Sequence, residues 1–417
     1  MKPEQDHMFQ YLTEIVEKGF PEPTFMNAIS PGECLSVSAD SNSISQESLA
    51  LLKSEDKTNV GFFFDGPIYP IRNGACYTLT NLMRALGESG SVNPILINCY
   101  RGWDDFTEYY DKKFGSVFVT PKDFYEPTDM LTSVVVKSNM EMAQFYDTEL
   151  LVNIGPRLKN MGVKLILEVQ NINHVLLERL GAPQPDIARA LEFERVAFRL
   201  ADYVLCRSDV DMGLALEQGS DPARSAVYRG GIFVNDFEFQ PRGTGSKLLF
   251  LGHMYYQPNE NALRVMAEHI LPNLDDSYTL TVIGITPPGV IEKYSSDRIL
   301  FRGGVDELSG ELLDYDIALA PLLEGSGTRL KVMDYLASGI PVIATSIAVE
   351  GLDPNIIQHL FVENDIEKYP MIIQKISKST VDDKRAIEAR RYTAANYDWP
   401  VCIAPFLNTY DTLKRSK

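Results

Sequence analysis

The sequence predicts an α/β protein built as two doubly wound, parallel-sheet domains that face one cleft, and three observations carry that prediction. At 417 residues the chain exceeds what a single hydrophobic core ordinarily organises, so two domains are expected. Short apolar runs alternate with longer segments of helical spacing, twice over, and strand–helix alternation builds parallel sheet. Between the two series lies the polar, glycine-bearing segment "FEFQPRGTGSK" (237–247), where a linker is expected.

Residues 1–57 form a polar extension whose end, "SADSNSISQESLALLKSEDKT", reads as loop and exposed helix. The first domain, 58–240, follows. Its expected strands are "VGFFFD" (60–65), "NPILINCY" (93–100), "VKLILEVQN" (163–171) and "DYVLCRS" (202–208), with helical stretches such as "YTLTNLMRALGES" and "IARALEFERVAFRLA" between them. The second domain, 241–395, repeats the pattern with "KLLFLG" (247–252), "YTLTVIG" (278–284), "RILFRG" (298–303), "IALAPL" (317–322) and "PVIATS" (341–346). Residues 396–417 read as a last amphipathic helix that packs back on the first domain through Trp399, Phe406 and Leu407.

Composition removes several classes of function. A hydrophobic fraction of 45% and a charged fraction of 23% are those of a globular protein, and no apolar run reaches the length of a membrane span. The amino terminus carries acids inside its apolar stretch, so it reads as a retained amphipathic helix, and a cytoplasmic protein, at most peripheral to the inner membrane face, is expected. Cys34, Cys76, Cys99, Cys206 and Cys402 are odd in number and widely spaced, which signals neither a disulfide framework nor a zinc site. With 39 basic and 57 acidic residues the net charge is −18, which repels nucleic acid and requires a local device to hold any anion.

One stretch supplies such a device. "EGSGTRLKVMDYLASGIPVIATS" (324–346) runs from a predicted strand end through small residues and two bases into a helix. Free N–H groups at that helix mouth, glycines that admit close approach, and the charges of Arg329 and Lys331 together make an anion site of Gly325, Ser326, Gly327, Thr328, Arg329 and Lys331. The alternative is a glycine turn with a Ser or Thr cap and two solvated bases. Asp334, two turns beyond Ser326, suits a pair of ribose hydroxyls; its alternative is an ordinary exposed helix acid. The acid pairs of "DVD" (209–211) and "DYD" (314–316) mimic a metal-binding Asp-x-Asp but open a helix and precede a strand, both structural uses of aspartate, so no metal is expected.

"FLGHMYYQPNENALRVM", "RILFRGGVDELSGELLDYDIALAPL", "GSGTRLKVMDYLASGIPVIATSIAVEGL" and "NYDWPVCIAPFLNTYDTL" resemble successive blocks of the family 4 retaining glycosyltransferases of GT-B fold, and "GPIYPIRNGACYTLTNLMRALGESG" and "EVQNINHVLLERL" are similar to first-domain blocks. The resemblance covers about residues 58–414. It implies the following assignments. The family's paired glutamates fall on Ser326 and Asp334, so the ribose acid is kept as Asp334 and the sugar-contacting glutamate is replaced, with Glu324 two residues earlier as another route. Where the family carries Arg and Lys after its "FLG" strand, this chain has His253, Asn259 and Glu260, which leaves the diphosphate to Arg329 and Lys331. Asn73 and Gly74 match the glycine loop beside the reacting centre, Gln170 stands at a family histidine and Asn171 is retained. His174 is next in line for the acceptor side, or is a core or surface residue; Gly230 and Gly231 let the donor lie close.

The resemblance therefore implies a retaining transfer of a sugar from a UDP- or GDP-sugar to a hydroxyl of a glycan, lipid-linked or small-molecule acceptor, without cofactor or metal. Two other readings stand beside it: an epimerase of the same fold acting on a nucleotide sugar, and a silent member that binds nucleotide sugar without turnover.

Overall fold

A computed structural model describes residues 35–36, 52–65, 74–99, 115–119, 121–126, 128–179, 181–305, 308–324, 330–380 and 382–416. It has two parallel sheets. The first contains β1 (Leu35–Ser36), β2 (Thr58–Phe64), β3 (Val92–Cys99), β4 (Gly115–Val119), β5 (Met142–Phe145), β6 (Lys164–Val169), β7 (Tyr203–Cys206) and β8 (Ser225–Val227), in the order β1-β4-β3-β2-β5-β6-β7-β8. The second contains β9 (Lys247–Leu251), β10 (Thr279–Ile283), β11 (Ile299–Gly303), β12 (Ile317–Ala320), β13 (Val342–Ala344) and β14 (Phe361–Val362), in the order β11-β10-β9-β12-β13-β14. Apart from the two-residue β1 at the edge, each order reverses once, beside β2 in the first sheet and between β9 and β12 in the second, and ligands of doubly wound sheets bind outside the strand carboxyl ends at such a point.

Four helices position the site: α1 (Gly74–Glu88), α2 (Leu330–Ser338), α3 (Asp383–Tyr397) and α4 (Ala404–Arg415). The first sheet is buried on both faces, as side-chain alternation shows. Val60, Phe62, Leu96, Met142, Ile166 and Leu205 share one core with α1, while Phe63, Ile97, Phe145, Leu167 and Cys206 point into the other. Trp399, Ile403, Phe406, Tyr410 and Leu413 belong to the α1 core, so the chain's last segment returns from the second domain to cover the first. Leu407 packs on that core half-buried. The second domain has its own core, which runs from Leu248 through Leu336 to Ile373 and takes in Ile232, Val234 and Phe237 of the crossing segment.

The strands absent from the sequence reading, β1, β4, β5, β8 and β14, are short, and four of them are four residues or fewer. The expected amphipathic helix at residues 1–20 and Cys34 lie outside the described residues. Cys76, Cys99, Cys206 and Cys402 are buried and none is in a disulfide, and no helix among the described residues is long and apolar enough to cross a membrane.

Candidate active site

At the β9–β12 reversal, α2 leaves the sheet edge and is buried almost all round, from Val332 to Ser338. It ends because Gly339 adopts φ +84°, where a Cβ would stand 2.5 Å from the Gln240 carbonyl of the crossing segment. Only glycine lets helix end and linker approach so closely. The expected anion loop, Gly325, Ser326, Gly327, Thr328 and Arg329, lies outside the described residues, as does Asn73; the site is built from what flanks them.

Lys331, in the first turn of α2, donates to Asn259 Oδ1 at 3.0 Å and stands 4.4 Å from the centre of the Phe250 ring. Asn259 is itself buried and donates back to the His253 carbonyl at 3.0 Å. The residues after β9 thus hold the lysine of α2, and His253, set beside Tyr255 with ring centres 5.3 Å apart, contributes its backbone to that frame. Glu324 is exposed after β12 and accepts a hydrogen bond from Asn261, so its carboxylate is engaged at the rim of the second domain.

Asp334 is 5% exposed, which removes the reading of a solvated helix acid. Its Oδ1 accepts from the Tyr77 hydroxyl of α1 at 3.4 Å, a contact across the cleft. Desolvation pushes the carboxyl up from the ordinary range to about 7, against the Tyr77 hydrogen bond and the charge of Lys331. A second tie between the domains lies further along α1: Arg84 grips Asp236 of the crossing segment with two nitrogens and lies 3.7 Å from the Phe233 ring centre.

On the first-domain side, Gly74 opens α1 beyond the carboxyl end of β2. Asn171 is exposed just past β6. Gln170, expected at the sugar, has both ends of its carboxamide engaged within the protein: Oε1 accepts from Arg207 at 2.6 Å, and Nε2 donates to Glu168 Oε1 at 2.5 Å and to the Tyr228 hydroxyl at 3.1 Å. Gln170 thus bridges Glu168 and Arg207. At Gly231 a Cβ would lie 3.0 Å from the Tyr397 carbonyl and 3.1 Å from Trp399, so the missing side chain admits the returning segment. His174 pairs through Nδ1 with the buried Glu194 at 2.5 Å; Glu194 also accepts from the Asn173 N–H, capping a short helix.

Glu168 is the residue that sequence reading missed. It is fully buried, and desolvation pushes its carboxyl above the usual range, opposed first by Arg207. A lone acid inside the apolar run "VKLILEVQN" was the available signal. One acid of each Asp-x-Asp look-alike has a structural partner: Asp211 accepts from the Ser208 hydroxyl at 2.7 Å, and Asp316 from the Lys247 N–H at 2.9 Å. Among the described residues no three His, Cys, Asp or Glu side chains group as metal ligands would.

Residues 245–377 match the family model described as Glycosyl transferases group 1, and this range contains β9–β14 with Asn259, Lys331 and Asp334. An uncharacterized 44.6 kDa protein in the cps region of Klebsiella pneumoniae is 27% identical over 164 residues, 36% of this chain and 42% of that one; the match thus spans less than half of either. Among solved structures, sucrose-phosphate synthase from Thermosynechococcus elongatus superposes with a TM-score of 0.66 at 15% identity, over 86% of this chain and 99% of that one. Anabaena HepE in complex with UDP gives 0.61 at 15% identity, over 85% and 99%. A glycosyltransferase from Rickettsia africae gives 0.64 at 14%, over 87% and 100%. At such identities the likeness shows fold, and the fold is GT-B: two parallel-sheet α/β domains about a cleft.

Proposed function

We propose that this chain is a glycosyltransferase that moves a sugar from a nucleoside-diphosphate sugar to an acceptor hydroxyl. The observation that carries the reading is the pair formed by Lys331 and Asp334 on α2. It sits at the strand-order reversal of the domain that matches the group 1 model, with the acid facing the first domain across the cleft. The HepE complex with UDP supports a nucleotide donor by analogy.

In this scheme Asp334 accepts from the ribose hydroxyls, and Lys331 takes the diphosphate together with Arg329 and the N–H groups of Gly327 and Thr328. The anomeric C–O bond breaks, leaving positive charge on the sugar and one more negative charge on the diphosphate. The acceptor oxygen forms the new C–O bond on the same face, and its proton passes to the leaving phosphate. Fixed donors stabilise the developing charge without reorganising, and the scheme uses no metal ion. Configuration is thereby retained, as in family 4. Domain closure excludes water that would hydrolyse the donor. The acceptor is a hydroxyl of a glycan, a lipid-linked sugar or a small molecule, and the reaction belongs on the cytoplasmic side, where nucleotide sugars are available.

A thermal-shift screen of nucleoside diphosphates and their sugars is the direct test, since a ligand bound only by the native state raises its melting temperature. One nucleotide series should stabilise the protein. No response to any member would sink the reading, and isomerisation of a donor incubated without acceptor would replace transfer by epimerisation.

A further inference from the structure

Parallel pairing sets Val169 of β6 against Cys206 of β7, so Gln170 and Arg207, each the first residue past its strand, stand side by side on the cleft edge of the first sheet. Tyr228, the first residue past β8, joins them by donating its N–H to the Cys206 carbonyl at 2.9 Å. Behind this edge lies a buried carboxylate. Glu168 accepts from Gln144 at 2.5 Å on one oxygen and from Gln170 and Tyr228, both at 2.5 Å, on the other, while Tyr410 of α4 holds Gln144 at 2.8 Å.

The hydrogen bonds of Glu168 come from neutral groups, and it acts on Arg207 by charge and through Gln170. The guanidinium is anchored at one corner, where Nη2 meets Gln170 Oε1 at 2.6 Å, and its carbon stands 5.4 Å from the Tyr228 ring centre. Its Nε is buried without a hydrogen-bond partner. A guanidinium presents five donors, and leaving a buried one unmet is costly, so the arrangement lacks an acceptor beyond Gln170 and the charge of Glu168. The direction of the free corner is fixed by Gly230. A Cβ on Gly230 would lie 3.2 Å from Arg207 Nη1 and 3.3 Å from the side chain of Leu330, the first residue of α2. The first domain's guanidinium and the mouth of the second domain's donor helix thus flank one glycine, next to Lys331.

We propose that Arg207 is a donor-contacting residue: the first domain supplies this cation to the diphosphate across Gly230, while Gln170, Tyr228 and Glu168 hold it in place. The proposal rests on the nucleotide-sugar reading above. Its chemistry is that of a guanidinium meeting phosphate oxygens with parallel N–H bonds, in a chain whose −18 net charge gives such an anion few other partners. It also explains why Gly230 carries no side chain, since a methyl group would press on both Arg207 and Leu330.

The test is calorimetry of the full chain with UDP, and with GDP if UDP does not bind, beside the matching nucleoside without phosphates. Arg207→Gln should weaken the nucleoside diphosphate about tenfold or more and leave the nucleoside unchanged. Equal affinity for the diphosphate, or equal loss of diphosphate and nucleoside, overturns the assignment. If Arg207→Gln does not fold, Arg207→Lys decides, because an ammonium cannot keep the Gln170 bond and reach across Gly230 together. A loss of threefold or more, confined to the diphosphate, supports the role, and unchanged affinity overturns it. A wild-type protein that binds neither nucleoside diphosphate overturns the functional reading and this contact with it, whereas wild-type binding with an unaffected variant removes the contact alone.

Discussion

The hydroxyl of Tyr77, on the first helix of the first domain, stands 3.4 Å from Oδ1 of Asp334, on the donor helix of the second. A carboxylate that is to receive two ribose hydroxyls therefore already has a protein hydroxyl at one oxygen. Nucleotide binding has to displace that phenol or share the oxygen with it. Tyr77→Phe keeps the ring and removes the competitor, so nucleoside diphosphate affinity should rise, by roughly 0.5–1.5 kcal/mol for one hydrogen bond no longer broken. Calorimetry checks this. A weakened affinity would mean instead that Tyr77 stays in the complex and helps to seat the ribose.

Burial of Asp334 has a consequence for stability. Its carboxyl, raised from 3.8 to about 7 chiefly by desolvation, holds a proton in the folded state that the unfolded chain has already released between about pH 4 and pH 7. Stability then falls as pH rises through that window, by up to about 4 kcal/mol at 1.36 kcal/mol per pKa unit, and the loss is complete above the folded value. Asp334→Asn cannot ionise. It should melt near the wild-type temperature at pH 5 and above it at pH 8, and it should lose nucleotide affinity while sparing inorganic pyrophosphate. A melting difference that is the same at both pH values would contradict the buried ionisation, and equal loss of nucleotide and pyrophosphate would make Asp334 a support of the helix.

The same residue shows how far the sequence could be read. Asp334 was visible because its spacing within "LKVMDYLASG" is a matter of helix period, and the two-sheet plan was visible because fully buried parallel strands are continuous apolar runs. What could not be read were partners supplied from elsewhere in the chain. Tyr77 lies 257 positions from Asp334, and Tyr410 lies 266 from Gln144, so neither contact leaves a local pattern. The contact of Arg207, which the sequence shows only as the end of an apolar strand, with Gln170 is invisible locally, because only the β6–β7 register puts one against the other. Gly231 was drawn to the donor by the motif around it, while the segment that occupies its open side arrives from residue 397 onward.

Lys331 offers a prediction that separates charge from placement. Lys331→Ala removes a cation from the proposed diphosphate site and should weaken nucleoside diphosphate by roughly 1.5–3 kcal/mol, the range of a charge-assisted hydrogen bond. Asn259→Leu keeps the cation but removes the 3.0 Å bond that holds it, so a smaller loss of the same kind is expected, with nucleoside affinity unchanged. Titrations in which Asn259→Leu binds UDP as tightly as wild type would show that Lys331 finds its position without Asn259.

The crossing between the domains is held by a side chain remote from the proposed chemistry. Arg390 of α3 donates through Nη1 to the carbonyls of Phe237 and Ala337, and through Nη2 to that of Val234 at 3.1 Å. It thereby ties the segment that leaves the first domain to the last turns of α2. Those carbonyls are strong acceptors in a packed junction; Val234 keeps its bond from the Phe237 N–H, so Arg390→Met strands the carbonyls of Phe237 and Ala337. A loss of roughly 2–4 kcal/mol is expected in denaturant unfolding of the second domain. Because Arg390 also fixes α2 against the crossing, the variant should bind nucleoside diphosphate more weakly even at temperatures where it remains folded. Full stability with Arg390→Met would show that the junction is held by its apolar contacts, Ile232, Val234 and Phe237, without the guanidinium.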